Sequence, residues 1–332
     1  MRFWLNFLIF VLLALPSALA QEVPLLEAAD RIRLQEAFRL AETLQDSIWD
    51  GWSKVPFPVL LVTPKFEYLV HHPKPENGLD TLGFDEKLKS LVLHRRQQFP
   101  INFLATFPFM GPSTIVIGQL KNTSVPHSTA WIITVMHEHF HQLQYSQPDY
   151  FSATASLNLS RGDQSGMWML NYAFPYDTAV VVEKFSALCK LLSEALNSSD
   201  TVFPTRLREY LDARNKFKKI LSKDDYNYFS LQLWQEGISR YTEYRFAKLA
   251  SQAYTPSNEV RSLPDFQPYS SVADSLLKTI HTTLPTLSLP RLKRIVFYTF
   301  GAAEGLLLDR VNPLWHQKYF RDKFYLENYY EP

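Results

Sequence analysis

TAWIITVMHEHFHQLQY, residues 129–145, is the most informative segment of this chain. The residues before its histidines are almost all apolar, which predicts a buried helix. Residues four apart share one face of a helix, so His137 and His141 can direct both imidazoles at one point, with Glu138 beside it. This is the HExxH arrangement of two zinc ligands and a general base. The stretch therefore predicts a Zn²⁺ site with His137 and His141 as metal ligands and Glu138 as a catalytic base.

Short HExxH matches also arise by chance, so the surrounding sequence matters. Upstream, the β-branched run from Ser113 to Gln119 predicts a strand, which we expect to be the edge strand that pairs with an extended substrate. Downstream, the segment LWQEGISRY at residues 233–241 offers Glu236 as a third metal ligand. Glu183, Glu194 and Glu243 are alternative third ligands, but none of them lies in a Glu-Gly-apolar-small context.

An HExxH helix followed by a helix reading Trp-x-Glu-Gly-apolar-small-x-Tyr resembles the gluzincin clan of zinc metallopeptidases, in particular its peptidase MA-like members. The resemblance implies that His137, His141 and Glu236 bind zinc and that Glu138 is the base. The stretch between His141 and Glu236 is longer than in the best-known gluzincins, and an inserted helical pair at about residues 178–221 accounts for this.

The segment FYTFGA at residues 297–302 is similar to the one that carries the catalytic tyrosine in gluzincin aminopeptidases. The resemblance implies that Tyr298 is catalytic, because a phenol can donate a hydrogen bond to developing negative charge. A packed core tyrosine is the alternative. Tyr241, His281 and His316 are competing candidates for the same role.

The sequence departs from the family in two respects. Many gluzincins carry an acidic residue a few positions after the third ligand, where it orients a ligand histidine. Here Ser239 and Arg240 precede the first carboxylate, Glu243, so Glu243, another carboxylate or a backbone carbonyl must act instead. The Gly-x-Met-Glu-Asn motif that binds the free amine in gluzincin aminopeptidases is also missing upstream, which disfavours an aminopeptidase.

Outward from the HExxH helix, the two parts of the chain differ in pattern. Before residue 128 we predict a helix at Leu25–Ile48, a strand at Val59–Val62 and a helix at Phe84–Gln98. After it, helical patterns dominate, at Thr178–Leu196, Thr205–Leu221, Tyr228–Leu249, Val272–Thr282 and Leu289–Asp309. The expected fold is α+β: a small mixed β-sheet subdomain (21–128) followed by a mainly helical one (129–332), zincin-like with the metal site between them.

Residues 1–20 have the pattern of a secretory signal peptide. A basic Arg2 precedes an apolar run, and Ala18-Leu19-Ala20 supplies small residues for cleavage after Ala20. An uncleaved anchor is the alternative, although the run is short for a membrane span. The pattern predicts a secreted or periplasmic protein with no stable membrane span after cleavage.

Composition limits the partners. The 332 residues are 46% hydrophobic, and 34 Lys and Arg face 33 Asp and Glu for a net charge of +1, so no basic excess favours nucleic acid. The one cysteine, Cys189, lies in an apolar helical stretch, which favours a core residue over a nucleophile. The sequence does not indicate the oligomeric state.

These features predict a zinc metallohydrolase that uses metal-activated water on a peptide or protein substrate. Two alternatives remain. One is a secreted zinc-binding protein that keeps the fold with little or no catalysis, which the missing acidic residue after Glu236 favours. The other is a zinc hydrolase of a non-peptide amide or ester.

Overall fold

The computed structural model describes residues 24–73 and 78–330, so the predicted signal peptide lies outside the described residues. The fold is α+β, as predicted: the N-terminal part contains one long helix and a six-stranded sheet, and a mainly helical region follows. The strands are β1 (Val59–Val62), β2 (Phe66–Val70), β3 (Asp80–Asp85), β4 (Ser90–Arg96), β5 (Leu104–Pro108) and β6 (Ser113–Gly118).

The sheet is mixed, with strand order β3-β4-β2-β1-β6-β5. Strand β1 runs parallel to β6, and the other neighbouring pairs are antiparallel. The prediction of a strand at Ser113–Gln119 is confirmed, but its expected place at the edge is wrong, because β6 lies between β1 and β5. The edge strand on this side of the sheet is β5.

The helix predicted for Phe84–Gln98 is also wrong, because this segment forms part of the β3–β4 hairpin. The Asp85 side chain accepts hydrogen bonds from the backbone N–H groups of Lys87 and Leu88, which closes a turn. Lys89 follows with a φ of 50°, in the left-handed region, and Ser90 then pairs with Asp85. This turn reverses the chain in the middle of a pattern whose apolar spacing is helical.

One helix precedes the sheet and the others follow it in the chain. They are α1 (Ala28–Ile48), α2 (Ser128–Tyr145), α3 (Tyr150–Ser156), α4 (Trp168–Asn171), α5 (Ala179–Asn197), α6 (Phe203–Ile220), α7 (Lys223–Gln232), α8 (Ile238–Ala253), α9 (Asn258–Arg261), α10 (Tyr269–Thr283), α11 (Leu289–Leu292), α12 (Val296–Val311) and α13 (His316–Tyr319). A π-helical segment, Leu233–Gly237, joins α7 to α8. The helix predicted at Leu289–Asp309 is interrupted at Lys293, whose φ of 49° separates α11 from a short 3-10 turn and α12.

Helix α2 lies at the centre of the molecule. It contacts α1, α8 and the strands β5 and β6, and nearly all of its side chains are buried. One hydrophobic cluster includes residues from α1, the sheet and the helical region, so the core is continuous across residue 128. The subdomain division at that position therefore stays a prediction. Cys189 is fully buried in this core, and burial raises the pKa of its thiol.

Candidate metal centre

Three side chains of α2 form a group that could hold a metal ion. His137, Glu138 and His141 are buried, and one nitrogen or oxygen atom from each lies within 4.8 Å of the others. The two imidazoles are one helical turn apart, and their Nε2 atoms are 3.1 Å from each other. The HExxH prediction is confirmed to this extent: the motif lies on a buried helix and its side chains converge.

Glu236, from the π-helical segment, completes this group. Its Oε2 atom lies 3.6 Å from His137 Nε2 and 3.5 Å from His141 Nε2. Two of the alternative ligands are remote from the group: Glu183 and Glu194 are exposed on α5 and pair with Lys184 and Arg206.

The third alternative, Glu243, contacts the other nitrogen of His137. Its Oε1 atom is 2.6 Å from His137 Nδ1, and its Oε2 atom accepts a hydrogen bond of 2.6 Å from Arg240 Nη1. An ionised carboxylate can only accept, so Nδ1 carries the ring proton. A neutral His137 then presents its Nε2 lone pair to the space between His141 and Glu236. Glu243 thus fills the orienting position that the sequence left open.

Gln144 orients His141 in the same way. Its Nε2 atom donates to the carbonyl of Trp234 and to the hydroxyl of Tyr319, at 3.2 and 2.7 Å. The Oε1 atom must then face His141 Nδ1, which lies 2.7 Å away and donates to it. In both histidines Nδ1 therefore carries a proton, and Nε2 is the nitrogen that can bind a cation when the cation replaces any proton there. Sequence reasoning missed Gln144, although its place three residues after His141 on the same helix was a signal.

Two glycines bring α12 against the helix that carries Glu236. A Cβ atom on Gly237 would lie 2.5 Å from the Cα atom of Gly301, and one on Gly301 would lie 2.6 Å from that of Gly237. Only glycine allows this approach at both positions. Since Tyr298 lies three residues before Gly301, the crossing places it on the side of α12 that faces Glu236.

Tyr298 accordingly lies beside the group. Its ring is nearly parallel to that of His137, with centroids 6.0 Å apart. Arg294 Nη1 donates to the Tyr298 hydroxyl and to Glu236 Oε1, both at 3.2 Å. Burial, and then the negative charge of Glu236, raise the pKa of Tyr298 well above its usual value, so the phenol keeps its proton.

The three competitors of Tyr298 are placed elsewhere. The Tyr241 hydroxyl bonds to Asp309 at 2.7 Å and lies 3.1 Å from His316 Nε2, so these two residues engage each other. Neither they nor His281 line the cleft that opens onto the histidines, as far as the described chain extends.

Thr106 of the edge strand β5 holds Glu138. Its hydroxyl lies 2.8 Å from Glu138 Oε2 and 3.0 Å from the Glu138 backbone carbonyl, so it can donate to either oxygen. This contact connects the sheet to the HExxH helix at the residue expected to act as base. A threonine in a short, half-exposed strand gave no signal in the sequence.

The ionisable groups favour positive charge between the imidazoles and Glu236. Burial lowers the pKa of His137, but hydrogen bonds with Glu236 and Glu243 outweigh it and raise the pKa to about 10. Burial raises the pKa of Glu236, but His141 and His137 outweigh it and hold the pKa well below its usual range. The negative charge that stabilises these protons would also stabilise a bound cation.

A cleft of about 380 Å³ opens onto this group. His137, Glu138 and Tyr298 lie on its wall, together with Arg240 and Glu243. The remaining lining residues are Leu104, Ser124, Val125, Pro126, His127, Ala130, Ile133, Thr134, Val272, Ser275 and Leu276. His139 does not line this cleft: it is buried, and its ring stacks on Phe57 with the ring centroids 3.7 Å apart.

No family model, curated protein or solved structure matches this chain. Among the described residues, no helix combines the length and apolar character needed to cross a membrane. The His-Glu-x-x-His group is consistent with the motif of zincins, and the geometry of the site is what bears on function.

Proposed function

We propose that this protein is an exported zinc metallopeptidase of the gluzincin type, in which His137, His141 and Glu236 bind the zinc ion. The observation that carries the proposal is the convergence of three ligand atoms at separations of 3.1, 3.5 and 3.6 Å. Ligands about 2.0–2.2 Å from a tetrahedral zinc ion lie roughly 3.3–3.6 Å apart. Two neutral imidazoles and one carboxylate are also a ligand set of catalytic zinc sites, which keep a fourth position open.

The surroundings of these ligands support the assignment. Glu243 and Gln144 hold the two imidazoles in the tautomer that zinc binding requires. Glu138 lies next to the ligand atoms and is held by Thr106, so it is the general base of the proposal. Glu243 contacts His137 where an acidic residue shortly after Glu236 was expected to act, which supports the catalytic alternative over the zinc-binding protein.

A zinc ion held by His137, His141 and Glu236 would supply Lewis acidity, which would lower the pKa of a water molecule at the open position. Glu138 takes a proton from that water as its oxygen attacks the substrate carbonyl, and later delivers the proton to the leaving amine. Tyr298 donates a hydrogen bond to the negative charge that develops on the carbonyl oxygen. Arg294 fixes the position of the phenol, because its Nη1 atom donates to the Tyr298 oxygen at 3.2 Å.

A peptide is the proposed substrate because of the position of β5. This strand pairs with β6 on one side and is the last strand of the sheet on the other. Leu104 of β5 lines the cleft beside Glu138. An extended peptide could add to this edge through backbone hydrogen bonds, with its carbonyl groups near the base. Export is proposed from residues 1–20 alone.

The test compares the wild type with Glu138→Gln on a broad set of quenched fluorogenic peptides, with zinc content measured in the same samples. Loss of the base should lower kcat by at least about 100-fold while the zinc content is unchanged. Glu183→Gln, on the exposed face of α5, is the matched control and should behave as the wild type. Tyr298→Phe should lower kcat by about 10- to 1000-fold with little change in KM.

The outcomes separate the alternatives. Full activity in Glu138→Gln would contradict the role of this residue. A wild type that holds zinc but cleaves no peptide would favour the zinc-binding protein, or the hydrolase of another amide or ester if such substrates are turned over.

A further inference from the structure

The charged residues on the cleft wall differ in how far their polar atoms are already hydrogen-bonded within the protein. Both carboxylates have partners: Glu138 accepts from Thr106, and Glu243 contacts His137 and Arg240. Arg240 is the only lysine or arginine among the lining residues of the described chain, and much of the remaining wall is apolar. A substrate in this cleft therefore meets one accessible guanidinium group on a wall of mixed polar and apolar side chains.

The guanidinium group of Arg240 is held in place by Glu243, but several of its N–H donors have no partner among the described residues. Its Nη1 atom donates to Glu243 Oε2 at 2.6 Å, and the group lies 5.9 Å from the centre of the Tyr298 ring. A guanidinium group carries five N–H donors. Within the described residues, no other hydrogen bond of this side chain is found, and 38% of the side chain is exposed. The contact with Glu243 orients the free donors in advance, which lowers the entropy cost of binding a ligand.

Arg294, on the other side of Tyr298, differs in each of these respects. Its Nη1 atom is shared among Gln232, Glu236 and Tyr298, and its side chain is 19% exposed. It is also not one of the residues on the cleft wall within the described chain. Arg294 therefore serves the metal ligand and the phenol, whereas Arg240 is available to a substrate.

We propose that Arg240 binds a carboxylate of the substrate, so that the enzyme prefers peptides with an acidic group close to the bond that is cleaved. The inference rests on the proposed peptidase function and adds a substrate class to it. Carboxylate and guanidinium groups match in geometry and form charge-assisted hydrogen bonds. The acidic group is either an Asp or Glu side chain or a free C-terminal carboxylate.

We expect a preference of about tenfold in kcat/KM. Hydrogen bonds between charged groups are stronger than neutral ones, but partial exposure and the competing Glu243 reduce the gain. Replacement of Arg240 also disturbs Glu243 and, through it, His137. This second effect acts equally on all substrates, so the ratio between an acidic peptide and its neutral counterpart isolates the contact of interest.

The experiment first digests a proteome-derived peptide mixture with the zinc-loaded protein and maps the cleavage sites by mass spectrometry. The best-cleaved sequence is then synthesised in matched forms, with Glu replaced by Gln or the C-terminal carboxylate by a carboxamide. We expect the wild type to cleave the acidic form with a kcat/KM about ten times that of the neutral form. In Arg240→Gln the two forms should be cleaved with similar kcat/KM. Whichever replacement abolishes the preference identifies the source of the carboxylate.

Arg245→Gln is the matched control, since Arg245 lies on the same helix but bonds to Tyr241 and Asp309. This variant should keep the wild-type ratio. Cleavage without an acidic preference, or a preference that survives in Arg240→Gln, would overturn the inference while leaving the peptidase function intact. A zinc-loaded wild type that cleaves no peptide would overturn the proposed function and the inference with it.

Discussion

Replacement of Glu243 by alanine should weaken zinc binding although Glu243 is not a proposed ligand. This side chain is buried, and its two oxygens contact His137 Nδ1 and Arg240 Nη1, each at 2.6 Å. Without the acceptor, the Nδ1–H group of His137 is left in the interior without its partner. The ring can then rotate or change tautomer, and its Nε2 atom becomes a weaker ligand.

The size of the effect follows from the strength of this contact. Loss of the partner that orients a ligand histidine lowers metal affinity by about 10- to 100-fold. This corresponds to roughly 1.4–2.7 kcal/mol. Glu243→Gln keeps an acceptor atom of the same shape but loses the negative charge, so we expect it to lie near the lower limit. The two variants together separate the hydrogen bond from the charge.

Competition with a chromophoric zinc chelator measures the affinity directly. Glu183→Ala, an exposed carboxylate on α5, is the control for a general loss of negative charge and should match the wild type. A dissociation constant for Glu243→Ala within twofold of the wild-type value would refute the argument. It would show that the contact with His137 does not position a metal ligand.

Three further changes have defined consequences. Thr106→Val removes the hydroxyl that bonds to Glu138 Oε2 at 2.8 Å. It should lower kcat about tenfold or more without loss of zinc, measured by steady-state kinetics. Gly301→Ala places a Cβ atom 2.6 Å from the Gly237 backbone, and it should destabilise the fold by about 1–3 kcal/mol in urea unfolding. His316→Asn tests pH dependence. Burial lowers the pKa of His316 to about 4, so its contribution to stability is complete above about pH 6.5 and decreases as the pH falls towards 4. The decrease is at most about 1.4 kcal/mol per pH unit, and the variant should lose that part of the slope in thermal unfolding. An unchanged kcat in Thr106→Val would contradict the first prediction, and an unchanged free energy of unfolding in Gly301→Ala the second. A wild-type pH dependence of stability in His316→Asn would contradict the third.

Features with a local periodic signal were predictable from the sequence. The HExxH helix is confirmed because four-residue spacing and a run of apolar residues are properties of the segment itself. The helix at Phe84–Gln98 was wrong because one Asx turn at Asp85 reverses the chain within a pattern of helical spacing. A turn that depends on one side chain is easily missed when apolar spacing alone is followed.

Features that depend on pairing between distant segments were only partly predictable. The strand at 113–119 was recognised, but its interior position follows from its pairing with both β1 and β5. The resemblance to gluzincins singled out Glu236-Gly237 and Tyr298-x-x-Gly301 separately. The structure shows that their glycines are in contact, so in this chain both positions require a residue without a Cβ atom. The contact between Thr106 and Glu138 has no counterpart in either local sequence.

Metal analysis measures whether one zinc ion binds between His137, His141 and Glu236. Purified protein would be incubated with one equivalent of zinc, dialysed against buffer without metal, and analysed by inductively coupled plasma mass spectrometry. We expect about one zinc ion per chain in the wild type and in Glu138→Gln, and a severe loss of zinc in His141→Ala and Glu236→Ala. A wild type that retains no zinc, or a Glu236→Ala variant that retains a full equivalent, would contradict the account.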